Sequence, residues 1–168
     1  MPTAADSRTM PDAVPGDGRD ETATERLDRN FGEILQELRV AVTGVQILFA
    51  FLLAAAFSAR ALELSGVSEG AYVVSVVTSA LAACTLMAPV AAHRLLFRRG
   101  AKGRLVASAQ WLTLTGMALL VVSIVCAVWV VLDLVVGGAV GAALALVVAA
   151  AFVLVWIVLP AVLRRGLD

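Results

Sequence analysis

Nine side chains carry most of what this sequence offers for handling a proton or a small cation: Glu33, Glu37, Arg39, Thr43, Gln46, Thr85, His93, Arg94 and Gln110. The chemistry they would support is reversible binding of a proton or a sodium ion. A coupled carrier needs such a group at mid-membrane, because the ion must be taken up and released on both sides. Here the carboxylates sit elsewhere. Glu33 and Glu37 precede the first long apolar run, whereas Glu63, Glu69 and Asp133 fall between runs. A carboxylate at a helix centre costs only about 2.5–3.5 kcal/mol on insertion scales, so its absence is not forced. It weighs against ion-coupled antiport by a single chain.

The neutral polar residues Thr43, Gln46, Thr85, Gln110 and Thr113 all fall toward one end of their apolar runs, with His93 at the rim. Pro89 removes a backbone donor in the same layer and frees the carbonyl at Thr85. A polar pocket there competes with a plainer expectation, in which Ser and Thr bond their own helix backbone or a neighbouring helix. His93 is the sole histidine and adjoins Arg94 near a helix end, where the helix dipole favours it, so a structural role is expected. No metal-ligand set, nucleophile motif, phosphate loop or pair of carboxylates on a common face is evident, and neither an enzyme activity nor a cofactor is expected. Cys84 and Cys126 lie inside apolar runs and read as packing thiols.

Four uncharged runs, residues 40–59, 71–92, 105–132 and 134–163, must position these groups. Each is long enough to cross about 30 Å of hydrocarbon as a helix. With 61% hydrophobic and 15% charged residues in 168, the chain has too little polar material to enclose those runs in a soluble globule. The fold expected is all-α: a polytopic membrane protein of four transmembrane helices in two hairpins, spanning about 40–62, 71–92, 105–131 and 138–163. Asp133, Gly137 and Gly138 divide the last two spans, where a tight hairpin needs a polar group in water and residues tolerant of left-handed dihedrals. Before the spans, residues 1–23 combine acidic residues with proline and glycine, the composition of a disordered tail. The first span is expected to act as the internal targeting element, since no basic start with an early apolar stretch precedes it.

Charge orients the bundle. Arg26, Arg29, Arg39, Arg94, Arg98, Arg99, Lys102, Arg104, Arg164 and Arg165 flank one side, and Arg60 alone the other. The positive-inside rule then puts both termini, including the basic tail 164–168, and the central loop in the cytosol, as expected for a multi-pass protein of a bacterial inner membrane. Tyr72 and Trp129 fall near the outer boundary, and Trp111 and Trp156 near the inner one.

Residues 24–39 read as an amphipathic cytosolic helix. Leu27, Phe31, Ile34, Leu35 and Leu38 recur at helical spacing, Glu33 and Glu37 lie on other faces, and Thr22 with Glu25 has capping-box spacing. The helix lacks a cationic face for anionic lipid, so it either lies in the interface or docks in a protein groove. Small residues mark expected packing faces: Thr43, Ala50, Ala54 and Ser58 on span one, Ser75, Thr78, Ser79, Ala82, Thr85 and Pro89 on span two, and Gly137, Gly141 and Ala145 on span four.

Two segments, RLDRNFGEILQELRVAVTGVQILFAFLL at 26–53 and APVAAHRLLFRRGAKGRLV at 88–106, resemble a bacterial family of small four-span membrane proteins of unknown function, often labelled sodium:proton antiporter by automated transfer. The resemblance implies membership and topology, and it singles out Arg26, Asn30, Glu33, Gln36, Glu37, Arg39, Gln46, Pro89, His93 and Arg94. The expected role is a structural or regulatory interaction module at the cytosolic face, in contact with the lipid bilayer and with copies of itself or another membrane protein, without nucleic acid. The rival is a small oligomeric transporter.

Overall fold

The computed structural model describes residues 23–64, 66–96 and 102–165. The stretch read as an acidic tail lies outside the described residues up to position 22, as does the middle of the basic loop. Long helices account for nearly all of the rest: α1 (Ala23–Ala55), α2 (Val67–Leu96), α3 (Lys102–Val136) and α4 (Gly138–Val153), the last continuing through a π-helical turn, Leu154–Val158, into α5 (Leu159–Arg165). A 3-10 turn, Ala59–Glu63, joins α1 to α2, and no strand occurs among the described residues. Four segments are long and apolar enough to cross a membrane: Asp28–Ala55, Val67–Ala92, Ser108–Val136 and Gly138–Arg165.

Several boundaries differ from those read in the sequence. The sequence leaves open whether the helix before span one bends at Gly32 or runs straight on; the two form a single rod, unbroken at Gly32 or between Arg39 and Val40. At 33 residues α1 is about 50 Å long, well beyond the thickness of a hydrocarbon core. It stops at Ala55, ahead of the expected residue 62, and the chain tightens into the 3-10 turn. Asp133 is not in a turn: α3 runs on to Val136, and the reversal is made by Gly137 alone, at φ 83, with Gly138 already helical. The sequence gives no helix-stopping signal at Asp133 that could outweigh the apolar residues on both sides of it.

The helices associate through a 3.5-residue repeat. On α1 the buried residues are Phe31, Leu38, Val45 and Leu52, spaced seven apart. On α2 they are Ser68, Ala71, Ser75, Ser79, Ala82, Leu86 and Pro89, and α3 contributes Ala109, Thr113, Gly116, Ser123 and Val130. A stripe of that period keeps one face of a helix against its neighbour, the condition for left-handed knobs-into-holes packing. α2 and α3 make the most extensive interface, and α1 lies against both. Leu38 and Val45 of α1 meet Ala82 and Leu86 of α2, with Met117 and Leu120 of α3 packed alongside.

The small-residue face expected to pack on α1 does not. Thr43, Ala50, Ala54 and Ser58 are all exposed, and the larger residues of the seven-residue stripe turn inward instead. In a membrane the outward face need not be polar, so small size alone does not mark the inward one.

Two glycines set close approaches. A Cβ on Gly116 would lie 2.6 Å from Leu86 Cγ and 2.8 Å from Thr85 Oγ1, so its absence lets α3 close on α2. A Cβ on Gly141 would meet the α3 backbone, 2.9 Å from Asp133 N, so α4 rests directly on α3 near the turn. Gly141 and Ala145 are the buried residues of α4. Farther along, every residue from Val153 to Arg165 is exposed. The π-helical turn precedes Pro160, which has no amide hydrogen to give to the carbonyl one turn back; the Leu159 amide instead reaches Leu154 O, five residues earlier.

Candidate functional site

The ends of the bundle differ. One, called here the basic end, holds Arg39, Arg94, Arg164 and Arg165; the other, the turn end, holds the 3-10 turn and Gly137. Between them the α2–α3 interface is closed. Ser75 Oγ donates to Ser123 O at 2.8 Å, Ser123 Oγ donates to Ser75 O at 2.8 Å, and the two hydroxyls stand 3.2 Å apart. Both serines are fully buried. Ser123 was not among the residues singled out from sequence, although it is the one hydroxyl in the apolar stretch between Gly116 and Leu132.

Other hydroxyls are satisfied within their own helices. Thr85 donates to Leu81 O at 2.9 Å, Thr113 to Ala109 O at 2.8 Å, Ser79 to Val76 O at 3.0 Å and Thr43 to Arg39 O at 2.9 Å. Among the described residues no buried side-chain nitrogen or oxygen lacks a partner. This is the plainer of the two arrangements that the sequence allowed for the polar layer. At the turn end Ser68 Oγ donates to Asp133 Oδ2, joining the start of α2 to the end of α3, and Tyr72 Oη donates to Leu52 O at 2.6 Å.

Of the nine residues, the eight whose side chains are described do not converge on one pocket. The buried ridge of α1, centred on Leu38, separates two clefts at the basic end, and six of the residues line one or the other. On one side, Asn30, Glu33, Ile34 and Glu37 of α1 face Gln110, Thr113, Leu114 and Met117 of α3 across a cleft of about 360 Å³. On the other, Arg39 and Thr43 of α1 share a larger cleft, about 930 Å³, with Cys84, Met87 and Arg94 of α2. Of the charged groups that line the clefts, Glu33 and Glu37 therefore lie on one side of α1, and Arg39 and Arg94 on the other. Gln46 is exposed and lines neither cleft, Thr85 is held against Gly116 in the α2–α3 seam, and Pro89 is fully buried. His93 falls in the last turns of α2.

Glu33 pairs with Arg29 at 3.0 Å, one turn earlier on the same helix. Such an exposed pair contributes about 0.3–0.5 kcal/mol, enough to bias a rotamer and too little to anchor a helix. Both glutamates are exposed, so the acidic cleft is an open surface feature and not an enclosed channel. Among the described residues no group of three metal-ligating side chains forms. A further apolar cleft of about 580 Å³ opens between α3 and the end of α4, lined by Leu114, Met117, Phe152 and Trp156. The Phe152 and Trp156 rings meet edge to face, 5.4 Å between centroids.

Fold and site together define, over the described residues, an all-helical protein with four membrane-length apolar helices, a hydrogen-bonded α2–α3 seam and polar clefts at the basic end. Residues 20–160 match DUF6328, a family of unknown function, and the chain belongs to that family. No curated protein and no solved structure matches it.

Proposed function

We propose that this chain is an integral membrane interaction protein, without catalytic activity, that works as an assembly with copies of itself. The observation that supports this most is the length of apolar helix left without a partner. From Val153 to Arg165 every side chain is exposed, including Ile157 at 64% and Leu163 at 61%, although the same span packs tightly on α3 at Gly141. A second copy seated there would fill the cleft between α3 and the end of α4.

The arginine partition supports a bacterial inner membrane location with both termini in the cytosol, and with that orientation the clefts would face the cytosol. Regulatory contact would then be made there, through Glu33 and Glu37 on one side of α1 and the arginines on the other. Cross-linking tests the assembly. In a background with Cys84→Ala and Cys126→Ala, cysteines introduced one at a time at Ile157 and Val162 are expected to form disulfide-linked dimers in native membranes. Cysteine at Val73, exposed on α2, is expected to stay monomeric. Equal cross-linking at all three positions would mean random collision and would remove the support.

The second reading, a small oligomeric transporter with sodium:proton antiport as its named version, draws on one observation: two carboxylates and Gln110 border the same cleft. Against it stands the closed α2–α3 seam, whose polar groups are hydroxyls already engaged with backbone carbonyls. Antiport would require a pathway formed between subunits.

A further inference from the structure

The cleft between α1 and α2 combines two guanidinium groups with apolar walls, and neither Arg39 nor Arg94 has a carboxylate partner among the described residues. Glu33 and Glu37, the nearest acidic residues along α1, line the cleft on the opposite side of the helix. Thr43 is occupied by its bond to Arg39 O. The positive charge in this cleft is thus unanswered by the described protein. Arg39 directly precedes the first uncharged run and Arg94 follows the second by two residues, so both fall at the depth where lipid headgroups begin.

We propose that this cleft binds an anionic phospholipid. Arg39 and Arg94 would hold the headgroup phosphate, which guanidinium groups match in shape and charge, while an acyl chain lies along Leu35, Val42, Met87 and Val90. Basic pockets between transmembrane helices take acidic headgroups by the same logic. A volume of about 930 Å³ accommodates a headgroup and the upper part of a chain. This site is separate from the assembly surface on α4 and α5 and stands whether or not that surface dimerises.

Native mass spectrometry of the full chain, titrated with phosphatidylglycerol and with phosphatidylcholine, tests it. Phosphatidylglycerol is expected to be retained preferentially. Arg39→Gln and Arg94→Gln should each weaken it about fivefold, and together about thirtyfold, from roughly 1 kcal/mol for each basic residue near the surface. Ala91→Trp, which fills the cleft with both arginines kept, should also lose the lipid. Arg164→Gln with Arg165→Gln, which removes equal charge at the same end but outside the cleft, should leave retention unchanged. Retention of both lipids alike, or equal loss in the Arg164 and Arg165 variant, would overturn the proposal by showing general surface attraction. Displacement of phosphatidylglycerol by millimolar inorganic phosphate would also overturn it, since the acyl chain would then contribute nothing.

Discussion

Ser75 of α2 and Ser123 of α3 are joined reciprocally, each hydroxyl donating to the other's backbone carbonyl at 2.8 Å. The acceptors are main-chain atoms, so replacing one serine by alanine removes one donor and leaves the other bond in place. Only the 3.2 Å contact between the hydroxyls couples the two side chains. Interhelical bonds of this kind average about 0.6 kcal/mol in membranes. Ser75→Ala and Ser123→Ala should therefore each destabilise by about 0.5–1 kcal/mol, with losses additive to within about 0.5 kcal/mol. A double-mutant cycle by steric trapping in bicelles reads this directly; strong non-additivity would mean that the pair acts as one unit.

Glycine substitutions should separate by location. Gly141→Ala sets a methyl against the α3 backbone, which cannot move aside as a side chain can, and should cost about 1–2 kcal/mol after allowing for the better helix propensity of alanine. Gly44→Ala, with nothing within 4 Å, should be neutral or stabilising by up to about 1 kcal/mol. Equal effects at the two positions would contradict direct seating of α4 on α3.

Along α1 the same logic separates ridge from flank. Leu38→Ala should destabilise by about 2 kcal/mol, near the lower end of the range for buried leucine because lipid is as apolar as the site it leaves. Val40→Ala, with valine 73% exposed, should change little. Phe31 is buried and Ile34 half-buried, so alanine at both should loosen the first turns of α1, read as faster amide exchange there with membrane insertion intact. Unchanged exchange would indicate that this end of α1 is not docked.

Pro160→Ala restores an amide hydrogen for Trp156 O and removes the cause of the π-helical turn. The expected result is a continuous α-helix through α4 and α5, with the side chains beyond the turn rotated by about one residue, about 100°. Cross-linking at Val162 should weaken while a neighbouring position gains. An unchanged pattern would assign the turn to packing instead of to the proline.

Much of this molecule is legible as sequence because lipid-length apolar runs permit little besides helices. Inward and outward faces are harder to read. Val45 and Leu52 look no different from Ile47 and Phe51, yet the first two are buried and the others about two-thirds exposed. Soluble helices reveal their core by contrast with polar residues, and a membrane helix offers no such contrast. The seven-residue interval from Phe31 to Leu52 was the available signal. The polar layer was legible as a set of residues at one end; its division into acidic and basic sides was not, because that depends on which face of α1 turns inward. Ser123 and the turn before Pro160 each had a local cue, a lone hydroxyl and a lone proline in otherwise apolar helix.

The hydrogen-bonded α2–α3 seam most directly predicts that this chain carries no ion across a membrane. Purified protein reconstituted in vesicles with an internal pH dye should give a flat trace when a sodium gradient is imposed, at protein densities high enough for assembly. Glu33→Gln, Glu37→Gln, Gln46→Ala and His93→Ala should leave that trace flat. A sodium-dependent pH change that disappears with any one of these substitutions would contradict the reading and make the acidic side of α1 part of a transport pathway.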